Sequence, residues 1–168
     1  MQRLIRTFHL AVCLLLLSIS GWAISKVGSR VDTSTIQNAV TTITTGTMNA
    51  AAGNFVTCVV RYGPGSLTSV SGVQDNATTP NVLTSMAAVN SGSDFVQIWY
   101  GNIVTANAAD AFTFTFTPAG GGNNTIGACD QWSGIATSSP LDTTASATGT
   151  QASGAALTSS AFTTAQAS

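Results

Sequence analysis

Few residues in this sequence are of types that carry out chemistry. All six acidic side chains are aspartates, and the single histidine, His9, lies near the N-terminus. A Ser-His-Asp triad, a Cys-His pair or a histidine metal site needs an imidazole, so none can be built from the residues after position 23. Two aspartates could hydrolyse a glycosidic bond, but each is expected at a strand end or turn, where Asp favours the backbone geometry. We therefore predict no enzyme, with an aspartate-only hydrolase as the less favoured alternative.

Three aromatic side chains are candidates for contacting a ligand. Trp99 and Tyr100 are neighbours in a predicted strand and point to opposite faces, so we assign Trp99 to the core and Tyr100 to a binding face. Trp132 is the third, and by alternation Asp130 shares its face. Exposed aromatic rings stack on sugars, so Tyr100, Trp132 and Asp130 are the candidate ligand-binding residues for a polysaccharide. The alternative for Asp130 is a structural carboxylate that is partly buried and hydrogen-bonded.

Calcium is the one cofactor that the sequence leaves open. Turns at Asp75, Asn76 and Asp110 offer the carboxylate and carbonyl oxygens that calcium binds. They form no D-x-D-x-D-G loop, so no metal site is predicted, and these three residues are the calcium alternative. The glycines at 120–122 lack the Lys-Ser/Thr ending of a phosphate-binding loop and are predicted to form a turn.

Cys58 and Cys129 are the two cysteines that follow residue 23. An even number of cysteines in an oxidising compartment predicts a disulfide, with two buried free thiols as the alternative. A zinc site is excluded because two thiols without histidine cannot complete a tetrahedral set of ligands.

The N-terminus has the layout of a secretory signal peptide at residues 1–23. Arg3 and Arg6 precede an apolar run at 10–19, and small residues flank a cleavage site after Ala23. An uncleaved anchor is the alternative, but the run is shorter than the roughly 20 residues that span a bilayer. The sequence therefore predicts a secreted or cell-surface protein with no membrane contact after cleavage.

The charge of the chain excludes one class of partner. After residue 23, three cationic side chains, Lys26, Arg30 and Arg61, stand against six aspartates. No basic stripe is formed, so nucleic-acid binding lacks its electrostatic contribution.

Short apolar runs that alternate with turn residues predict an all-β protein. The clearest strand is 111–117, where Phe112, Phe114 and Phe116 alternate with threonines and should face a core. Residues 54–62 and 94–100 are predicted as central strands. Weaker strands are predicted at residues 67–73, 82–89, 125–132 and 157–164. Together they predict a two-layer antiparallel β-sandwich, Ig-like or jelly-roll.

Three segments are predicted along the chain. The signal peptide is followed by a Thr-rich stretch at 24–49, which could be a linker, an edge strand or a flexible arm. Residues 50–168 are predicted to form the sandwich module, and this segment stops without a closing turn. If the module is cut off there, it is expected to lack a final strand.

The order of several short motifs resembles a β-sandwich module that recurs in large secreted and surface proteins of bacteria. The resemblance covers roughly residues 50–165, and Gln131 interrupts the acidic-aromatic pair that precedes Ser-Gly in that pattern. It implies an adhesive or scaffolding role without catalytic residues. The matching motifs are Ser69-Val70, Asp75-Asn76, Trp99-Tyr100, Ala106-Asn107, the strand at 112–117, residues 130–134 and Pro140-Leu141-Asp142.

The leading hypothesis is a non-catalytic structural or adhesive module whose partners are copies of itself or other surface proteins. A sharper form is a filament subunit, in which residues 31–47 of one copy add as a strand to the next. The alternative is a carbohydrate-binding module that uses exposed aromatic rings.

Overall fold

The structure is a computed structural model that describes residues 23–38, 40–63, 69–91, 94–117 and 123–140. Its regular secondary structure is entirely β, with antiparallel pairing between all strands, as predicted. Most of the predicted signal peptide, most of the glycine-rich stretch at 119–124 and the predicted strand at 157–164 lie outside the described residues. Within them, no apolar helix of membrane-spanning length is found.

Eleven strands are formed by the described residues. They are β1 (Ser25–Asp32), β2 (Thr42–Thr44), β3 (Met48–Ala50), β4 (Phe55–Gly63), β5 (Ser69–Asp75), β6 (Thr84–Ser85), β7 (Val89–Ser91), β8 (Asp94–Asn102), β9 (Asn107–Asp110), β10 (Phe112–Thr117) and β11 (Asn123–Ser133).

The strands form two main sheets and a small pair. The larger sheet has the order β1-β11-β4-β8-β6, with β7 also paired to β8. The smaller sheet has the order β2-β10-β5, and β3 pairs with β9. The chain therefore crosses repeatedly between sheets, and β1 and β11, at opposite ends of the described sequence, are neighbours.

The core lies where the inner faces of the two main sheets meet. Phe112, Phe114 and Phe116 of β10 are buried, as the alternation predicted, and Phe116 makes an edge contact with Tyr62 of β4 at a centroid distance of 6.2 Å. A Cβ atom on Gly127 of β11 would lie 2.6 Å from the ring of Phe114, so the two sheets lie close together here. The arrangement is sandwich-like, with apolar burial as its main stabilising contribution.

The predicted disulfide between Cys58 and Cys129 is confirmed. The two residues are direct cross-strand partners on β4 and β11, with Cα atoms 4.1 Å apart, and both are buried. The bond therefore joins neighbouring strands of the larger sheet.

Several strands differ from the sequence-based expectation. The predicted strand at 82–89 is broken into the short β6 and β7, with an isolated bridge at Val82. The Thr-rich stretch at 24–49 contains all of β1 and β2 and the start of β3, each paired within this chain. Alternation is weak in these short segments, which explains why β2, β3 and β9 were not predicted.

Candidate functional site

The face of the larger sheet that points away from the core is the candidate site, and we call it the outer face. It carries alternate residues of the long strands β4, β8 and β11, because successive side chains of a strand point to opposite faces. Its members on these three strands are Phe55, Thr57, Val59, Arg61, Val96, Ile98, Tyr100, Asn102, Ile126, Ala128, Asp130 and Trp132.

All three candidate ligand-binding residues lie on the outer face. Tyr100 and Asp130 are both cross-strand partners of Thr57, from opposite sides, and the indole Nε1 of Trp132 donates a hydrogen bond to Thr57 Oγ1 at 2.9 Å. Tyr100 and Trp132 are half-buried, so part of each ring remains accessible. Trp99 is buried on the opposite face, as predicted.

One end of this face is closed by aromatic packing. Phe55 stacks on Tyr100 with ring centroids 6.0 Å apart and is only 4% exposed. Beyond β11 the chain crosses this end, where the amide of Asn102 donates a hydrogen bond to the carbonyl oxygen of Thr137 at 2.7 Å. The aromatic rings are therefore held in place rather than free to rotate.

Asp130 is held by two cations of β1. Its carboxylate accepts Lys26 Nζ at 2.7 Å and Arg30 Nη2 at 3.1 Å. Partial burial alone would raise the pKa of Asp130, but hydrogen bonds and positive charge from Lys26 and Arg30 outweigh it and hold the pKa below its ordinary value. Asp130 is thus a structural carboxylate as well as a member of the outer face, and sequence analysis had not linked it to either cation.

The centre of the outer face is apolar. Val59 on β4 lies beside Ile98 on β8 and Ala128 on β11, and Val96 lies two residues before Ile98 on the same strand. The exposed fractions of Val59, Val96 and Ile98 are 36%, 43% and 41%. A shallow depression of about 280 Å³ lies between this strip and Asp130.

The three calcium candidates meet at one end of the sandwich. Asp75 is 3% exposed and Asp110 is fully buried, and the charge of Asp75 acts on the carboxyl group of Asp110. The side-chain oxygen of Asn76, the third candidate, accepts N–H groups of Ala111 and Asn107 and is not free for a cation. Among the described residues no three His, Cys, Asp or Glu side chains cluster in a way that could hold a metal.

The two buried aspartates have different hydrogen-bond partners. Asp75 accepts the backbone N–H groups of Ala77 and Asn81 and the amide of Asn81. Asp110 accepts a long hydrogen bond from the amide of Asn107, at 3.5 Å, and a hydrogen bond from the backbone of Asn76. Both lower the pKa of Asp110, but burial and the neighbouring carboxyl group of Asp75 outweigh them and raise the pKa to about 7.

Asn81 was not singled out from the sequence, yet it links this pair to the neighbouring loop. Its side-chain oxygen accepts the N–H groups of Val104 and Thr105, and its amide donates to Asp75 and to the carbonyl oxygen of Thr105. A lone Asn after Pro80 is common in turns, so no sequence signal distinguished it.

The remaining described aspartates do not form a second pair. Asp94 contacts Arg61 at 3.0 Å, and Asp32 is exposed on β1. Asp142 lies outside the described residues. Comparison with known proteins found no matching family model, no matching curated protein and no matching solved structure.

Proposed function

We propose that this chain is a non-catalytic, secreted or cell-surface module with a structural or adhesive role, built as an Ig-like or jelly-roll sandwich of the kind repeated in large bacterial surface proteins. The observation that carries the proposal is the outer face, where Val59, Ile98 and Val96 form an exposed apolar strip on a disulfide-linked sheet. Contiguous exposed apolar side chains on a rigid surface favour contact with another protein.

The aspartates support a non-catalytic role. A hydrolase that uses two carboxyl groups needs both to reach a substrate in a cleft. Asp75 and Asp110 are in contact but are almost completely buried, and Asp130 is engaged by Lys26 and Arg30. The disulfide between Cys58 and Cys129 is in keeping with an oxidising compartment.

Binding of the purified chain to bacterial envelope fractions tests this proposal. Ile98→Lys places a charge in the apolar strip, and we expect it to weaken binding at least about tenfold because the ammonium group must lose water at the contact. The matched control is Val104→Lys, at a side chain that is 78% exposed and lies outside the strip. Equal binding by both variants, with unchanged circular dichroism spectra, would contradict the proposal.

A carbohydrate-binding role is the second candidate, and Trp132 and Tyr100 favour it. Both rings share the outer face with Thr57 and Asp130, which offer hydroxyl and carboxylate groups to a sugar. Retention on insoluble polysaccharides should fall in Trp132→Ala and in Tyr100→Ala but not in Val104→Ala. If all three variants are retained as well as the parent chain, the carbohydrate role is wrong.

A further inference from the structure

Residues 25–37, which we call the N-terminal arm, follow a single strand along its length. β1 pairs with β11 from Ser25 opposite Ser133 to Asp32 opposite Ala128. Beyond β1, Thr33 donates its N–H group to Gly127, and Gln37 exchanges backbone hydrogen bonds with Thr125. Apart from Asp32, whose carbonyl oxygen accepts the N–H group of Gly46, the backbone hydrogen bonds of this segment run to β11.

The arm buries little apolar surface against the rest of the molecule. Val27 and Val31 are half-buried, most other side chains of the arm are exposed, and Thr33 is its buried residue. A depression of about 380 Å³ separates residues 27–31 from residues 47–49 beside β3. Main-chain hydrogen bonds and ion pairs hold most of the arm in place, and Val31 adds a hydrophobic contact with the core.

The charges of the arm and of the body are complementary. Lys26 and Arg30 are two of the three cations that follow residue 23, and both contact Asp130. Five of the six aspartates lie after the arm. An acidic body therefore attracts this cationic segment from any copy of the chain.

The acceptor strand does not depend on the arm for its own position. β11 pairs with β4 from Asn123 to Trp132, and the disulfide between Cys58 and Cys129 links the two strands covalently. Without the arm, β11 would become an edge whose free N–H and C=O groups require a strand. A second copy of the chain carries an identical N-terminal arm with the same two cations.

We propose that the arm is exchanged between copies, so that residues 25–37 of one chain pair with β11 of the next, whose Asp130 holds the incoming Lys26 and Arg30. Repeated in one direction, this contact produces an open chain of subunits. The inference rests on the structural role proposed above and names its partner as a second copy.

A disulfide cross-link between cysteines placed at Ser25 and Ser133 tests the exchange, because the Oγ atoms of the two serines are 2.8 Å apart. Chains with Ser25→Cys and differently sized chains with Ser133→Cys are unfolded together, refolded at high concentration and mildly oxidised. We expect a mixed covalent dimer on non-reducing gels, with a yield that rises with protein concentration. The control pairs Ser133→Cys with Ser29→Cys, an exposed position of the arm that has no partner on β11.

The double variant Ser25→Cys/Ser133→Cys, refolded under the same conditions, reports whether the arm pairs at all. Interchain ladders in the double variant support the exchange. If the double variant cross-links only within single chains, and the mixture yields no more dimer than the Ser29→Cys control, the exchange is wrong. The envelope-binding assay uses Ile98, which lies outside the arm, so a failed exchange leaves the adhesive role to be judged by that assay.

Discussion

Asp110 and Asp75 are neighbouring carboxyl groups in the interior, with Asp110 fully buried and Asp75 3% exposed. Oδ2 of Asp110 has no hydrogen-bond partner among the described residues. Asp75, by contrast, accepts the backbone N–H groups of Ala77 and Asn81. Burial and the neighbouring charge of Asp75 raise the pKa of Asp110 to about 7, so Asp110 is largely protonated below that pH.

The first prediction concerns the pH dependence of stability. The pKa of Asp110 is raised from its unfolded value near 4 to about 7, so the folded state holds an extra proton between those pH values. Stability should therefore fall as pH rises from about 4 to 7, by up to about 1.4 kcal/mol per pH unit, and then level off. Asp110→Asn keeps a donor toward Asp75 and should remove this slope in urea unfolding curves. Asp32→Asn, at an exposed position, is the control, and a slope that survives Asp110→Asn would refute the assignment.

The second prediction concerns the close packing of the two sheets at Gly127 and Phe114. Gly127→Ala would bring a methyl group to 2.6 Å from the buried ring of Phe114, which has little room to move. We expect a loss of about 1–3 kcal/mol in the free energy of unfolding. Gly72→Ala is the matched control on a facing strand, since its Cβ would meet no atom within 4 Å. Equal thermal midpoints for the two variants would show that the sheets are not this close.

The third prediction concerns the disulfide. Cys58 and Cys129 are 71 residues apart in sequence, and joining them restricts the unfolded chain. The variant Cys58→Ala/Cys129→Ala should lose roughly 4 kcal/mol in the chain-entropy treatment. Urea unfolding of the parent chain with and without reductant provides the comparison. If reductant changes the free energy of unfolding of the parent chain and of the double variant equally, the disulfide is not the source of the difference in stability.

The fourth prediction concerns attachment of the arm. Asp130→Asn removes the charge that Lys26 and Arg30 contact, and both cations are substantially exposed, so global stability should change by no more than about 1 kcal/mol. Hydrogen exchange of the backbone amides at 25–33 should accelerate, because the arm opens locally. Asp94→Asn breaks the pair with Arg61 and should leave exchange in the arm unchanged. Similar exchange rates in the arm of Asp130→Asn and the parent would count against Asp130 as its anchor.

The long strands could be predicted from the sequence, residues 111–117 from alternating side chains and residues 54–62 from a run that is apolar on both faces and bounded by glycines. Residues 111–117 and 54–62 were placed within one or two positions, and Trp99 was correctly assigned to the core. The pairing of Cys58 with Cys129 followed from cysteine number alone.

Contacts between distant residues could not be predicted. Asp130 contacts Lys26 and Arg30 because β11, about a hundred residues after β1 in the sequence, lies beside β1, and no local pattern encodes that pairing. Asp75 and Asp110 become neighbours for the same reason, since the pairing of β5 with β10 brings together the strand ends that carry them. Composition and alternation specify which faces are buried but not which strands become neighbours.

The position of β11 between β1 and β4 has a consequence for the stage of synthesis at which the larger sheet can form. Two early segments of the chain flank a gap that is filled by the last strand of the described sequence, so the larger sheet cannot be completed before residue 133 has been synthesised. Folding should begin late and proceed slowly, as distant pairings generally require. A chain released before residue 133 would leave β1 and β4 without the strand that separates them.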